Sequence, residues 1–230
     1  LGYLNLDYYN PQPAAPDAKT HNYTGTLIDR LSLRGGLLEN RFSVTRFDSA
    51  VWGRGGEDLV VTPLGNRGNY FAEQQRDAMR ISGAAVYSFA PLDLFGSQQF
   101  KAGGYLAANQ HTGDIHERGI HVEDLAGGEL LRIAFPRMRN FEVDDLDKSF
   151  FAQNHCNARS NLGVDFGVRT EAQQISGAFR VAPRVGLAWT PGSNLTIRGG
   201  AGLFYDRVPL NVYAFNRYPN RLVTFFDGHG

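Results

Sequence analysis

The stretch 184–206 constrains the fold most, because apolar residues alternate in it with polar or small residues in two successive runs. In the first run, Val185, Leu187 and Trp189 share one face. In the second run the apolar residues again occupy every other position, at Leu195, Ile197, Leu203 and Tyr205. Between the runs, Pro-Gly-Ser-Asn at 191–194 is a dense turn signal. A period of two predicts two β-strands joined by a tight turn.

The length of the second run indicates what its apolar face meets. Strands of water-soluble proteins usually have about 5 to 6 residues, whereas membrane-spanning strands need about 9 to 11. The alternation over 195–206 reaches the longer length. Its opposite face is small or charged, which suits the polar interior of an outer-membrane barrel. The sequence therefore predicts an all-β protein built from antiparallel transmembrane strands.

Composition is consistent with this prediction and excludes other classes. Basic and acidic residues balance at 23 each among 230 residues, so no nucleic-acid partner is expected. The content of glycine (27) and phenylalanine (16) is high, as in strand-rich proteins. The sequence contains no run of 18 apolar residues, so no transmembrane helix is predicted. The single cysteine, Cys156, permits no internal disulfide.

The order of strands and connections predicts part of a barrel. Strands are expected at 40–48, 69–89, 98–110, 149–155 and 162–170, and the stretch 23–34 fits either one strand or two. A hairpin is expected around 126–128, and a polar loop over 135–147. Connections at 91–96 and 191–194 are short, and those at 49–68 and 207–230 are long. This alternation is typical of barrels with short periplasmic turns and long extracellular loops.

The alternation also sorts side chains between lipid and lumen. The predicted lipid-facing residues are Val185, Leu187, Trp189, Leu195, Ile197 and Leu203. The predicted luminal charges are Asp165, Arg169, Arg184 and Arg198. A charge at mid-depth in lipid costs about 2 to 4 kcal/mol, so these four belong on the other face. We expect them to pair with each other or with a plug domain, and contact with substrate is the alternative.

No catalytic constellation is found, so we expect no enzyme activity and no cofactor. His111, His116 and His121 are spaced by five, which sends neighbours to opposite faces of a strand. Solvated loop histidines are therefore favoured over a metal site. An acidic solvated loop is likewise favoured over a Ca²⁺ site for the group Glu142, Asp144, Asp145 and Asp147.

The segment 207–230 combines aromatic rings with charges, which suits ligand capture at a surface. The predicted ligand-facing residues are Tyr213, Phe215, Arg217, Tyr218 and Arg221. A loop that only packs over the barrel mouth is an equal alternative.

Four segments resemble TonB-dependent outer-membrane receptors: Phe150–Gln153, LGVDFGVRTE, VAPRVGLAWTP and IRGGAGLFYDRVPLN. They are most similar to the Oar-like branch, which has a carboxypeptidase-regulatory-like N-terminal domain. The resemblance covers 150–215 and extends more loosely over 68–136. The sequence NHCNARSN at 154–161 departs from the family pattern at the end of a strand.

The resemblance implies that residues 1–230 are a segment of a 22-stranded barrel, with roughly ten of its strands. A signal peptide, a plug and a TonB-binding segment are expected upstream of this sequence. The implied function is import of a bulky nutrient across the bacterial outer membrane, with outer-membrane lipid, the TonB complex and the nutrient as partners. A surface-binding or adhesion barrel and a soluble secreted β-sandwich are the alternatives.

Overall fold

A computed structural model describes residues 9–135, 139–192, 194–218 and 220–227. Thirteen strands are defined within them: β1 Asp17–Leu33, β2 Gly36–Trp52, β3 Leu59–Val61, β4 Ala72–Ser88, β5 Leu92–Asp93, β6 Ser97–Glu117, β7 Ile120–Glu123, β8 Glu129–Ala134, β9 Arg139–Arg159, β10 Leu162–Gln173, β11 Ala178–Gly192, β12 Leu195–Gly202 and β13 Leu222–Phe225. The one α-helix among the described residues is α1, Leu210–Ala214. No described helix is long and apolar enough to cross a membrane.

Most of the chain forms one large antiparallel sheet, in the order β1-β2-β4-β6-β9-β10-β11-β12, with β5 paired to β6. We call it the main sheet. Every neighbour pair along this path is antiparallel. Strands of 17 to 21 residues, such as β1 and β9, are far longer than the usual strand of a soluble domain. The prediction of an all-β fold with long antiparallel strands is confirmed.

The connections at one end of the main sheet are all short, as predicted, and two of the three at the other end are long. At one end lie the short connections 34–35, 89–96, 160–161 and 193–194. At the other end lie 53–71 and 118–138, which contain β3, β7 and β8. These three strands and β13 form a second sheet, in the order β13-β8-β7-β3, and the predicted hairpin at 126–128 joins β7 to β8. The connection 174–177 at this end is short, which the sequence did not indicate.

Two predicted strand boundaries are wrong. The polar loop over 135–147 is strand from Arg139 onward. The strand predicted over 195–206 ends at Gly202, so Leu203 lies beyond it. The main sheet has eight strands along its path. The stretch 23–34, for which one or two strands were expected, lies within the single strand β1.

The strap, which we define as residues 203–218, leaves β12 and crosses one face of the main sheet. Its helix α1 places Ala214 against Ile115 of β6 and against Phe141 and Val143 of β9. We call the face covered by the strap the inner face and the opposite face the outer face. Because side chains alternate along a strand, the register assigns every other residue of each strand to one of the two faces.

The register explains why the acidic stretch 141–147 forms a strand. Phe141, Val143, Asp145 and Asp147 are buried on the inner face, whereas Glu142 and Asp144 are exposed on the outer face. Apolar contacts with the strap and hydrogen bonds to the two buried carboxylates stabilise this end of β9. The many polar residues in this stretch favoured a loop, because the sequence does not indicate that the strap covers them.

Candidate functional site

The inner face contains a cavity of about 470 Å³ between β9, β10 and β11. Three of the four predicted luminal charges, Asp165, Arg169 and Arg184, line it together with His155 and Gln153. Arg198 lies on the same face, directly opposite Ala188. The small residues Gly167 and Gly186 leave the space that the charged side chains occupy.

The expected pairing among these four charges is not found. Asp165 Oδ1 instead lies 2.8 Å from His155 Nδ1, and Arg169 Nε lies 2.7 Å from Glu171 Oε1. Asp165 and Arg169 are separated by four residues of extended chain, about 13 Å, which is too far for an ion pair. Asp165 and Arg169 therefore each pair with a neighbour on the same face.

The two remaining arginines are available for other contacts. The Arg184 guanidinium lies 4.5 Å from the centroid of the Phe204 ring, so the start of the strap covers it by a cation–π contact. Arg198 is exposed and has no ion pair among the residues that the structure describes. The cavity has Arg169, Arg184 and the His155–Asp165 pair in its lining, and these groups suit a polar or anionic ligand group.

The strap is held to the inner face by a second polar cluster, above this cavity. Arg207 Nη1 donates to Asp147 Oδ2 at 2.8 Å, and Asn109 donates to the same oxygen at 3.1 Å. Gln173 donates to the Val208 carbonyl at 2.8 Å and accepts from the Val208 amide at 3.2 Å. The strap is thus attached to the inner face through a side chain, that of Arg207, and through the backbone of Val208.

Aromatic contacts add to this attachment. The Arg207 guanidinium lies 5.5 Å from the centroid of the Tyr105 ring on β6. Arg76 of β4 lies 5.5 Å from the centroid of the Tyr218 ring at the other end of the strap. Sequence reasoning did not predict the contacts of Arg207 with Tyr105 and Asp147, because no local pattern indicates that residues so far apart in the chain meet.

The predicted ligand-facing residues divide into two groups. Tyr213 and Tyr218 pack against the buried cluster of Ile115, Phe141 and Val143. Phe215, Arg217 and Arg221 are exposed. Two rings therefore anchor the strap, and contact of the three exposed side chains with a ligand stays a prediction.

The predicted lipid-facing residues of β11 and β12 lie on the outer face. Val185 and Leu187 of β11 are exposed there and pair across the ladder with Ala201 and Gly199. Trp189 pairs with Ile197, and Leu195 pairs with Gly192 after a register shift. Leu203 is exposed but follows the last residue of β12. Of the predicted turn 191–194, Ser193 lies outside the described residues. The contact of these side chains with lipid stays a prediction.

The structure separates the candidate metal ligands. Among the described residues, no group of three or more His, Cys, Asp or Glu side chains is placed to hold a metal ion. His111 lies on the inner face and His116 on the outer face. His121 lies in the second sheet, where it contacts two carboxylates.

Two comparisons with known proteins support the architecture. A family model described as an outer membrane beta barrel domain matches residues 137–229. The outer membrane transporter YddB from Escherichia coli is structurally similar, with a TM-score of 0.55 and 12% sequence identity over 77% of this chain. The fold is that of an outer-membrane β-barrel. The chain spans 24% of the length of that transporter. A search of curated proteins gave no match.

This barrel segment belongs in the outer membrane. The end of the main sheet with the short turns then corresponds to the periplasmic side, as in other outer-membrane barrels, and the second sheet lies on the extracellular side. The inner face, with its cavity and its strap, corresponds to the lumen.

His121 joins the two long extracellular connections. Its Nδ1 lies 2.6 Å from Glu129 Oε1 on β8, and its Nε2 lies 3.1 Å from Asp58 Oδ2, just before β3. Arg132 in turn binds Glu129. Burial acts to lower the pKa of His121, but its hydrogen bonds to Glu129 and Asp58 outweigh burial and raise the pKa above 6.5.

We expect the contact between these two connections to weaken as the pH rises. A raised pKa in the folded state means that the stabilisation is complete below the pKa of the unfolded state. It is lost as the pH rises through the folded-state pKa. Amide hydrogen exchange in 53–71 and 118–135 should therefore accelerate as the pH rises above about 6.5, beyond the intrinsic effect of pH on exchange. A His121→Gln variant should show only the intrinsic effect, and an identical profile in both proteins would contradict the assignment.

Proposed function

We propose that this segment forms part of the barrel of a TonB-dependent outer-membrane receptor that imports a bulky nutrient. The observation that supports import most directly is the strap, which crosses the inner face and contacts Arg184 at the cavity that Asp165, Arg169 and Arg184 line. A ligand that enters the lumen from outside has to displace or contact this strap. The proposal involves no catalysis.

Further features support the same function. Among the described residues the main sheet has unpaired edges at β1 and β12, and a barrel in lipid requires every edge to be paired. We therefore propose that strands outside this sequence complete the barrel. The resemblance of 150–215 to TonB-dependent receptors supports a luminal plug and energisation by the TonB complex as the remaining parts. The Oar-like branch is the proposed subgroup.

Energy-dependent uptake separates import from the alternative of a surface-binding barrel. Cells with the full-length protein and cells without its gene should be compared for uptake of labelled iron chelates, oligosaccharides and peptides. We expect one class to enter only cells with the protein, and a protonophore should abolish that entry because TonB-type import depends on the inner-membrane proton gradient. Binding without uptake would favour adhesion, and uptake that resists the protonophore would favour a passive pore.

A further inference from the structure

A shallow apolar groove of about 500 Å³ crosses the outer face of the main sheet. Gly83 and Gly104 form its floor, and Phe42, Leu106 and Phe150 stand around it. A Cβ atom at Gly83 would meet no atom within 4 Å, so the floor is open. The groove lies on the opposite face from the luminal cavity and has no part in the proposed transport.

The groove follows one row of paired residues across five strands. Lys148 pairs with Leu106, Leu106 with Gly83, Gly83 with Phe42, and Phe42 with Leu27. Four inter-strand spacings of about 4.8 Å make this row ~19 Å long. This is the length of an extended lipid acyl chain rather than of a compact ligand.

The two ends of the row lie at different depths in the membrane. Lys148 is about eleven residues from the periplasmic end of β9, a distance of ~36 Å along the strand. Because barrel strands are tilted by about 45°, this corresponds to ~25 Å across the bilayer. This is the height of the apolar band of such barrels, about 25 Å, so Lys148 lies at its extracellular edge. Leu27 is about six residues from the end of β1, which is ~14 Å across the bilayer. The row thus descends from the headgroup level to the middle of the membrane, through the outer leaflet.

The charges at the ends of the groove define the orientation of a lipid. Lys148 is exposed on the outer face and has no hydrogen bond or ion pair among the described residues. At the deep end, Asn40 donates to Asp29 at 3.4 Å, and Arg41, which also lines the groove, is paired with Glu39. A phosphate is attracted to the shallow lysine and repelled by the deep carboxyl, while the apolar floor accepts a chain.

We propose that this groove binds an anionic, phosphate-bearing lipid of the outer leaflet. Its phosphate lies against Lys148, and one acyl chain lies over Gly104 and Gly83 toward Leu27. The proposal depends on contact between the outer face and lipid, and it is independent of the transported nutrient.

Photo-cross-linking in vesicles tests the site. The full-length protein is reconstituted in uncharged digalactosyl-diacylglycerol vesicles that contain either phosphatidic acid or diacylglycerol, each with a diazirine in one acyl chain. Mass spectrometry then measures labelling of the segment 83–106. We expect about five-fold more labelling by phosphatidic acid than by diacylglycerol, since one lysine near a membrane surface contributes about this factor.

Three variants separate the groove from general lipid contact. Gly83→Leu fills the floor and should reduce labelling by both probes, whereas Lys148→Gln should remove only the preference for phosphatidic acid. Gly199→Leu is the matched control, because Gly199 also lies on the outer face with no atom within 4 Å of an added Cβ, and it should behave as wild type. Heat-modifiable migration in gels verifies folding. The proposal would be overturned if Gly83→Leu were labelled like the wild type, or if Lys148→Gln still preferred phosphatidic acid to diacylglycerol. If Gly83→Leu does not fold, the result for Lys148→Gln decides alone.

Discussion

Replacement of Arg207 with alanine should weaken the attachment of the strap to the inner face by about 3 kcal/mol, because it leaves a buried carboxylate unpaired. The Asp147 side chain is only 5% exposed, and Arg207 is its ion-pair partner. Without Arg207, the Asn109 amide is the remaining donor to Asp147 Oδ2 among the described residues. Amide hydrogen exchange in 203–218 should become about a hundredfold faster.

Arg217→Ala is the matched control for this experiment. Arg217 belongs to the same strap, is exposed, and has no ion pair among the described residues. Its loss should change exchange by less than about two-fold, as for most surface substitutions. Equal effects of the two variants would contradict the role of the Arg207–Asp147 pair. Faster nutrient uptake in Arg207→Ala would in addition identify the strap as a barrier to import.

Replacement of Leu187 with arginine should destabilise the barrel by about 2 to 4 kcal/mol. Leu187 lies on the outer face about five residues from the periplasmic end of β11, which is ~12 Å into the membrane and close to its middle. Ile197 lies only two residues after the start of β12 and is therefore nearer the membrane interface. Arginine at position 197 should destabilise the barrel less than arginine at position 187. Urea unfolding of the full-length protein in detergent or vesicles measures the difference.

The neighbouring position provides the control on the luminal side. A Cβ atom at Gly186 would lie 3.4 Å from the Asp165 Cβ, an ordinary contact, so Gly186→Arg places its charge beside a carboxylate. It should destabilise far less than Leu187→Arg. Spin labels at the two positions give a second readout, because the label at 187 should be accessible to oxygen and shielded from a polar nickel reagent. Equal access to both reagents at 187 would reject the membrane face.

The alternation of side chains allowed the faces of the strands to be predicted from sequence. Asp165, Arg169 and Arg184 were expected on one face, and the register of β10 and β11 places them there. Their pairing could not be predicted, because the partner of Asp165 is His155 on β9 and depends on the register between two strands. The acidic stretch at the start of β9 was mistaken for a loop, since its inner carboxylates are satisfied by residues distant in sequence.

The sequence by itself determined the strand character, the division of residues between an apolar and a polar face, and the alternation of short and long connections. These features follow from local chemistry: a period of two, turn residues, and the spacing between them. Tertiary structure alone decided that residues 203–218 fold back over the inner face and that Gly83 and Gly104, on neighbouring strands, open a groove on the outer face. Both depend on contacts between residues far apart in the chain, and local periodicity contains no information about such contacts.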